Sequence, residues 1–428
     1  MIKRILACLL LLACWSAAAH GCAENDPYVH TASFAIPSAW GSRTAQLPLD
    51  DRWFMQDASV YHHGLARISL AMAVSAFRGS AGRADAPIRH FFDQLNFNGA
   101  QEADHQGLPC VQTWDYAAAG EDTIGTAMAW KYINCFESPV PVIAIAVCGG
   151  NYGDEWANNL NIGLRGNHEG FEIAAQKMID RLRQFEQDNL LADANCLYWL
   201  AGFGRGGAIC DVVASSLSAS STVVCYTFAA PFTTVGPAKT QHGGAFNIVA
   251  ASDPMTMLPP QEWGFTRHGR TLYLPSSLDA NHDYAPLLRQ FNAVYSQFTG
   301  ATDPAGDRDL APMARAAAKE IASPFQNRAT YQHAWQGILL KVFTGRHLGI
   351  GDMLRASSLL SDVTKAVQSV QRYALPPVPD GLSLGAFASR ELSTLYAQHD
   401  PALYAAWMLA LPEGNVLLTN SLTLTDAP

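Results

Sequence analysis

The sequence has no Cys-x-x-Cys pair and no His-Glu-x-x-His run, so two familiar spacings of a protein zinc site are absent. Charge is sparse: 28 Lys and Arg stand against 37 Asp and Glu in 428 residues, a net charge of −9 with neither sign gathered into blocks. A nucleic-acid surface is basic and clustered, so that class of partner is excluded. A scattered acidic excess means solubility. Beyond the N-terminus no stretch approaches the roughly 20 apolar residues that span a bilayer. No internal repeat is evident, and nothing implies a cofactor or a metal.

What is present is apolar. Hydrophobic residues make up 49% of the chain, enough for one large domain or two ordinary ones with a sizeable core. Residues 1–4 are a basic n-region, residues 5–13 an apolar h-region, and Ala17, Ala18 and Ala19 a small-residue cleavage zone. These predict an exported protein, periplasmic, secreted or held at the cell envelope. Leu11-Leu12-Ala13-Cys14 also fits a lipoprotein box, which would leave Cys14 lipidated and the chain tethered to a membrane. Cleavage after Ala19 leaves Cys22, Cys110, Cys135, Cys148, Cys196, Cys210 and Cys225. An odd count leaves at least one thiol outside any disulfide. Cys110 and Cys135 are a candidate bridge, whereas Cys196, Cys210 and Cys225 lie in apolar patterns and read as core residues.

Along the chain, residues 20–50 read as a loose extension and residues 57–77 as a helix apolar on much of its surface. His62 and His63 at its front point in different directions and read as structural. Residues 93–120 are irregular, and residues 123–133 return to helical spacing. Residues 141–147 read as a fully buried parallel strand, followed by Cys148-Gly149-Gly150. Residues 154–166 suggest a surface loop or lid, and residues 171–185 an amphipathic helix with Phe171, Ala175, Met178, Leu182 and Phe185 in one stripe. Apolar runs at 222–230 and 246–251 follow, the second with Asp253 just beyond it. This alternation of strands and helices predicts an α/β fold with a mostly parallel sheet. Helical spacing then fills residues 284–374, closed by Pro376-Pro377-Val378-Pro379. The expected division is 1–19 export signal, 20–54 extension, 55–283 core, 284–380 helical insertion or cap, and 381–428 a C-terminal return to the core.

The chain centres on residues 196–217. An apolar run meets Gly202-Phe203-Gly204-Arg205-Gly206-Gly207, which opens a segment with Ile209, Val212, Val213 and Leu217 at helical spacing. Three readings fit these glycines: a plain tight turn, a phosphate-binding loop before a helix, and a nucleophile elbow, the strand–turn–helix that exposes the serine of G-x-S-x-G. The dinucleotide version lacks an acidic residue closing a strand about 20 residues on. In the elbow reading the central position is Gly204, and the hydroxyl is missing.

Several stretches together resemble the class 3 lipase family of fungal-lipase-like α/β-hydrolases, most of all a bacterial branch whose elbow reads G-H-S-R-G-G-A. The matching letters here are Gly202 to Ala208, with Glu155-Trp156, His168-Glu169-Gly170-Phe171, Thr227-Phe228-Ala229-Ala230-Pro231, Asn247-Ile248-Val249 with Asp253, Leu258-Pro259-Pro260, Arg267-His268-Gly269, and His399-Asp400-Pro401 with Tyr404. The resemblance covers roughly residues 55–410. It implies an α/β-hydrolase sheet flanked by helices, with a helical insertion between the acid and the histidine. It also implies a triad in chain order Ser, Asp, His, in which Asp253 takes the acid position and His399 the base.

Three departures stand out. Gly204 holds the nucleophile position, Phe203 replaces a histidine, and Cys148-Gly149-Gly150 replaces an Arg-Gly-Thr/Ser that helps shape the oxyanion site. The resemblance therefore implies a degenerate lipase that binds an acyl or lipid ligand, or a protein partner, without turnover. The alternative is an ester hydrolase in which His399 and Asp253 activate water, or a relocated nucleophile such as Cys148. Against that, Cys148 reads first as a small buried hydrophobe.

Overall fold

The computed structural model describes residues 26–36, 43–79, 82–99, 110–116, 124–149, 159–236, 243–276, 283–322 apart from 304 and 307, 327–334, 394–412 apart from 396, and 418. The export signal, Cys14, Cys22 and the helices expected at 339–343 and 353–370 lie outside these residues.

The described chain opens with a hairpin, β1 (Val29–Ile36) antiparallel to β2 (Arg43–Asp50). This corrects the loose extension expected there. The alternation is real: Ala45, Leu47 and Leu49 are buried between exposed neighbours, and Pro48 among them masked it. Helix α1 (His63–Ser75) follows, then α2 (Ala86–Gln94), β3 (Val111–Trp114) and β4 (Thr126–Ile133). Residues 123–133 were expected to be helical. An apolar run buried on both faces carries no period that separates strand from helix, and in β4 every residue but the half-buried Tyr132 is buried, Lys131 included.

The rest of the core is β5 (Val140–Val147), α3 (Glu169–Asp188), β6 (Leu197–Phe203), α4 (Arg205–Leu217), β7 (Thr222–Phe228), β8 (Thr234–Val235), β9 (Ala245–Val249), β10 (Phe265–Thr266) and β11 (Arg270–Tyr273). Seven of these strands form one sheet in the order β11-β9-β7-β6-β5-β4-β3. From β5 to β11 neighbours run parallel; β4 and β3 are antiparallel additions at one edge. This mostly parallel sheet flanked by helices is of the α/β-hydrolase type.

Strand period 2 sorts the side chains onto two faces. From β6, Trp199, Ala201 and Phe203 join one core with α1, while Tyr198 and Leu200 join a second core with Phe171, Met178, Leu182 and Phe185 of α3 and Ile209 and Val213 of α4. Helix α1 is buried almost all round because the sheet lies on one side of it and the hairpin on another. Its polar atoms are used: His62 caps it by accepting from the Leu65 N–H at 3.0 Å, His63 bonds Tyr61 and the Met408 carbonyl, and Ser69 accepts from the Trp199 indole at 2.7 Å. Both histidines are structural, as expected.

Helices α5 (Tyr284–Thr299), α6 (Ala311–Ala322) and α7 (Arg328–Ala334) lie in the stretch read as an insertion or cap, and α8 (Pro401–Ala410) packs in the main core. Helix α5 belongs to the core rather than to a cap: Phe291 stacks on Trp407 of α8 with ring centroids 4.4 Å apart. Cys110 and Cys135 are not bridged, and Cys148, Cys196, Cys210 and Cys225 are also outside any disulfide. Burial raises the thiol pKa of Cys196 to about 12 and lifts Cys210 and Cys225 well above the usual range, as befits inert core residues.

Candidate functional site

Between β6 and α4 the chain reverses at one residue, Gly204, with φ 53° and ψ −121°. L-residues rarely adopt that conformation. The Gly204 N–H donates to the Phe228 carbonyl at 2.8 Å, and its own carbonyl accepts the first α4 bond, from the Ala208 N–H at 3.0 Å. The flanking glycines answer to space. A Cβ on Gly202 would overlap the Gly206 backbone, and one on Gly206 would stand 2.6 Å from the Val147 carbonyl oxygen. The turn therefore has the geometry of an elbow, with the first N–H groups of α4 preceding its intrahelical bonds.

Asp253 lies just beyond β9, at the N-cap of a 3-10 turn, and is fully buried. Its Oδ1 accepts from the Met255 N–H at 3.0 Å. Its Oδ2 accepts from the Tyr404 hydroxyl at 2.8 Å and pairs with His399 Nδ1 at 2.8 Å. The Tyr404 hydroxyl in turn accepts from the Ala250 N–H at 3.0 Å. His399 ends a short 3-10 turn immediately before α8, whose N-cap Asp400 accepts from the Ala402 N–H at 2.8 Å. The imidazole is thus held by its backbone on one side and by a buried carboxylate on the other.

With Nδ1–H facing Asp253, the neutral ring presents Nε2 as a proton acceptor. Nε2 points at the elbow: a Cβ on Gly204 would lie 3.1 Å from it, with the Gly149 carbonyl oxygen 3.6 Å away. Burial works against the charged imidazole, but the charge and hydrogen bond of Asp253, with Asp400 nearby, outweigh it and raise the His399 pKa. The Phe203 ring packs against His399 at 5.5 Å and edge-on to Tyr404 at 5.3 Å, forming an aromatic wall beside the imidazole. Chemically, the arrangement is a general base oriented by a carboxylate and aimed at one point above a helix N-terminus.

Gly204, Asp253 and His399, far apart in sequence, therefore converge. Cys148, one residue past β5, is also buried, but its Cβ stands 3.0 Å from where a Cβ on Gly125 would be, and its N–H donates to the Gly125 carbonyl. Its side chain faces β4 rather than the elbow. Two supports carry no signal of their own in the sequence. Tyr404 is a tyrosine in an apolar helix and looks like core. Arg267 lies buried against Phe232 and donates to the carbonyls of Ala230 and Thr256, bracing the turn that carries Asp253. Nearby, the buried Asp211 of α4 accepts from Thr233 Oγ1, Asn247 Nδ2 and the His268 N–H, fixing the loops behind the elbow. Among the described residues no cluster of His, Cys, Asp and Glu could hold a metal ion.

Neither a protein-family model nor a curated protein sequence matches this chain. It is similar to parts of solved structures. One is a mutant form of MDLA from Penicillium cyclopium, at 15% identity and a TM-score of 0.28, covering 36% of this chain and 66% of that one. Another is the native Rhizomucor miehei lipase propeptide complex, at 15% identity and a TM-score of 0.30, covering 56% and 76%. A third is the lipase from Rhizopus microsporus var. chinensis, at 14% identity and a TM-score of 0.32, covering 49% and 72%. The chain thus covers slightly under two thirds of the length of the first of these.

Proposed function

We propose that this is an exported lipase-like protein whose Ser-Asp-His site has lost its serine, and that it binds an acyl or lipid ligand, or a partner presenting one, without turning it over. One observation carries the reading: a Cβ on Gly204 would stand 3.1 Å from His399 Nε2, on an imidazole paired to Asp253 at 2.8 Å. In this reading Gly204 is the nucleophile position of a site whose base and acid are otherwise assembled. Loss of a nucleophile alone lowers kcat by about 10⁶. The N–H groups opening α4 and the His399 imidazole remain able to hold a carbonyl or carboxylate oxygen.

The test is binding of a fluorescent fatty-acid probe by the purified mature protein, with release of a chromogenic ester followed in parallel. Saturable binding without hydrolysis, weakened in His399→Ala, is the expected result. No binding by the wild-type protein would contradict the reading.

A second reading starts from the other ring nitrogen of the same histidine. His399 Nε2 is turned toward Gly204, where no side chain stands between it and the elbow backbone. A water held there would be activated by the His399–Asp253 pair, giving slow ester hydrolysis that disappears in His399→Ala. No observation favours Cys148 as a relocated nucleophile.

A further inference from the structure

Behind the Asp253–His399 pair, near the C-terminal ends of β9 and β11, lies a cavity of ≈ 30 Å³. Its lining includes Ser252, Phe291, Asp303, Arg308, Gln398 and Trp407. Two of these are chain neighbours of the pair: Ser252 precedes Asp253, and Gln398 precedes His399. Gln398 is 4% exposed, and its Oε1 accepts from Ser252 Oγ at 2.8 Å, tying the two loops together. Its Nε2 is buried and has no partner among the described residues. Turning the amide over would pair Nε2 with Ser252 and orphan Oε1 instead, so one amide atom is left without a partner in either orientation.

A buried amide left unpaired is destabilising. The cavity has room for about two water molecules. Also lining it is Asp303, 8% exposed, whose Oδ1 accepts from the Ala305 N–H at 3.1 Å. Burial pushes its carboxyl up to about 6, against the pull of the Ala305 N–H and Arg308, so it is an acceptor at neutral pH.

We propose that this cavity is a built hydroxyl-binding site, occupied by water in the isolated protein, in which the bound hydroxyl accepts from Gln398 and donates to Asp303. Gln398 is thereby a positioning residue for His399, held on one side by Ser252 and on the other by the bound hydroxyl. The site restrains the His399 loop against the Asp253 loop from the face opposite the elbow. A small alcohol offers the same hydroxyl chemistry as water and is the other source of an occupant.

The proposal rests on the geometry of the pair and not on whether the protein turns over an ester, so it is tested without an activity assay. The His399 ring is titrated by NMR in the full mature chain, assigned by comparison with His399→Gln. Gln398→Met is expected to lower the His399 pKa by about 0.5 unit or more, as the loosened ring loses contact with Asp253. Ser252→Ala is expected to shift it the same way by less. In the Ser252→Ala background, adding Gln398→Met removes only the amide. An occupied cavity predicts a lower Tm for the double variant, and an empty one an equal or higher Tm, since an orphaned donor would have been deleted. Titration in the presence of ethylene glycol separates the sources: a shift unique to the protein with Gln398 marks an alcohol displacing water, and no shift marks water alone. An unchanged His399 titration in Gln398→Met, or a double variant at least as stable as Ser252→Ala, would overturn the proposal.

Discussion

A side chain at residue 204 would have to adopt φ 53° and ψ −121°, a backbone conformation that costs a non-glycine residue about 1–3 kcal/mol. Gly204→Ser is therefore expected to lower the Tm even as it supplies the hydroxyl of the proposed nucleophile, and differential scanning calorimetry checks the sign. The neighbouring Tyr404 hydroxyl serves two buried groups, the Asp253 carboxylate and the Ala250 N–H. Tyr404→Phe leaves both short of a partner and should cost about 1–3 kcal/mol, read by denaturant unfolding. Asp253 and His399 were legible because each sits in a segment whose letters resemble a known pattern. Tyr404, Gln398 and Ser252 were not, because nothing in a sequence shows which hydroxyl or amide a buried carboxylate will meet. His399 also carries a pH dependence. Its pKa is raised in the folded protein, so the pair's contribution is fully present below the ordinary histidine value near 6.5 and is lost as pH rises through the folded value. The stability gap between wild type and His399→Gln should be larger at pH 5.5 than at pH 8.5, and equal gaps would contradict the pairing.

At the scale of elements, the elbow joins β6 to α4 at a separation that only glycine permits. A Cβ on Gly206 would meet the carbonyls of Val147 and Cys148 at 2.6 and 2.8 Å. Both are backbone atoms at the end of β5 and just beyond it and cannot swing aside, so Gly206→Ala should destabilise by about 1–3 kcal/mol through overpacking. Thermal unfolding measures it, and an unchanged Tm would mean the elbow is looser than described. The strand–turn–helix around these glycines was readable because an apolar run, a glycine cluster and a helical stripe follow each other without a gap. The β4 strand was not: Thr126 to Ile133 has buried residues on both faces, and such a run loses its period. The β1–β2 hairpin was hidden for another reason. Its alternation is short and interrupted by Pro48, and its pairing partner lies across a gap that no local pattern spans.

Across the whole molecule, two cores sandwich one sheet, and buried polar ties fasten the outer elements to it. Lys131 of β4 is buried and pairs with Asp51 at 2.7 Å and the Leu95 carbonyl at 3.0 Å, joining the end of the hairpin to the far side of the sheet. At the other end, Arg328 of α7 donates to the carbonyls of Gly163 and Gly166 and lies over the Phe265 ring. These contacts hold α7 against the loop that leads into α3. In the proposed reading, His399 and Asp253 are a base and an acid assembled at the elbow, and the missing part is one hydroxyl. The most direct measurement is covalent labelling by a fluorophosphonate, with ester hydrolysis alongside, in the wild-type protein, Gly204→Ser, and Gly204→Ser with His399→Ala. The expected result is no serine label in the wild type, label and turnover in Gly204→Ser, and loss of both in the double variant. A labelled serine in the wild-type protein, or a folded Gly204→Ser that neither labels nor hydrolyses, would contradict the account.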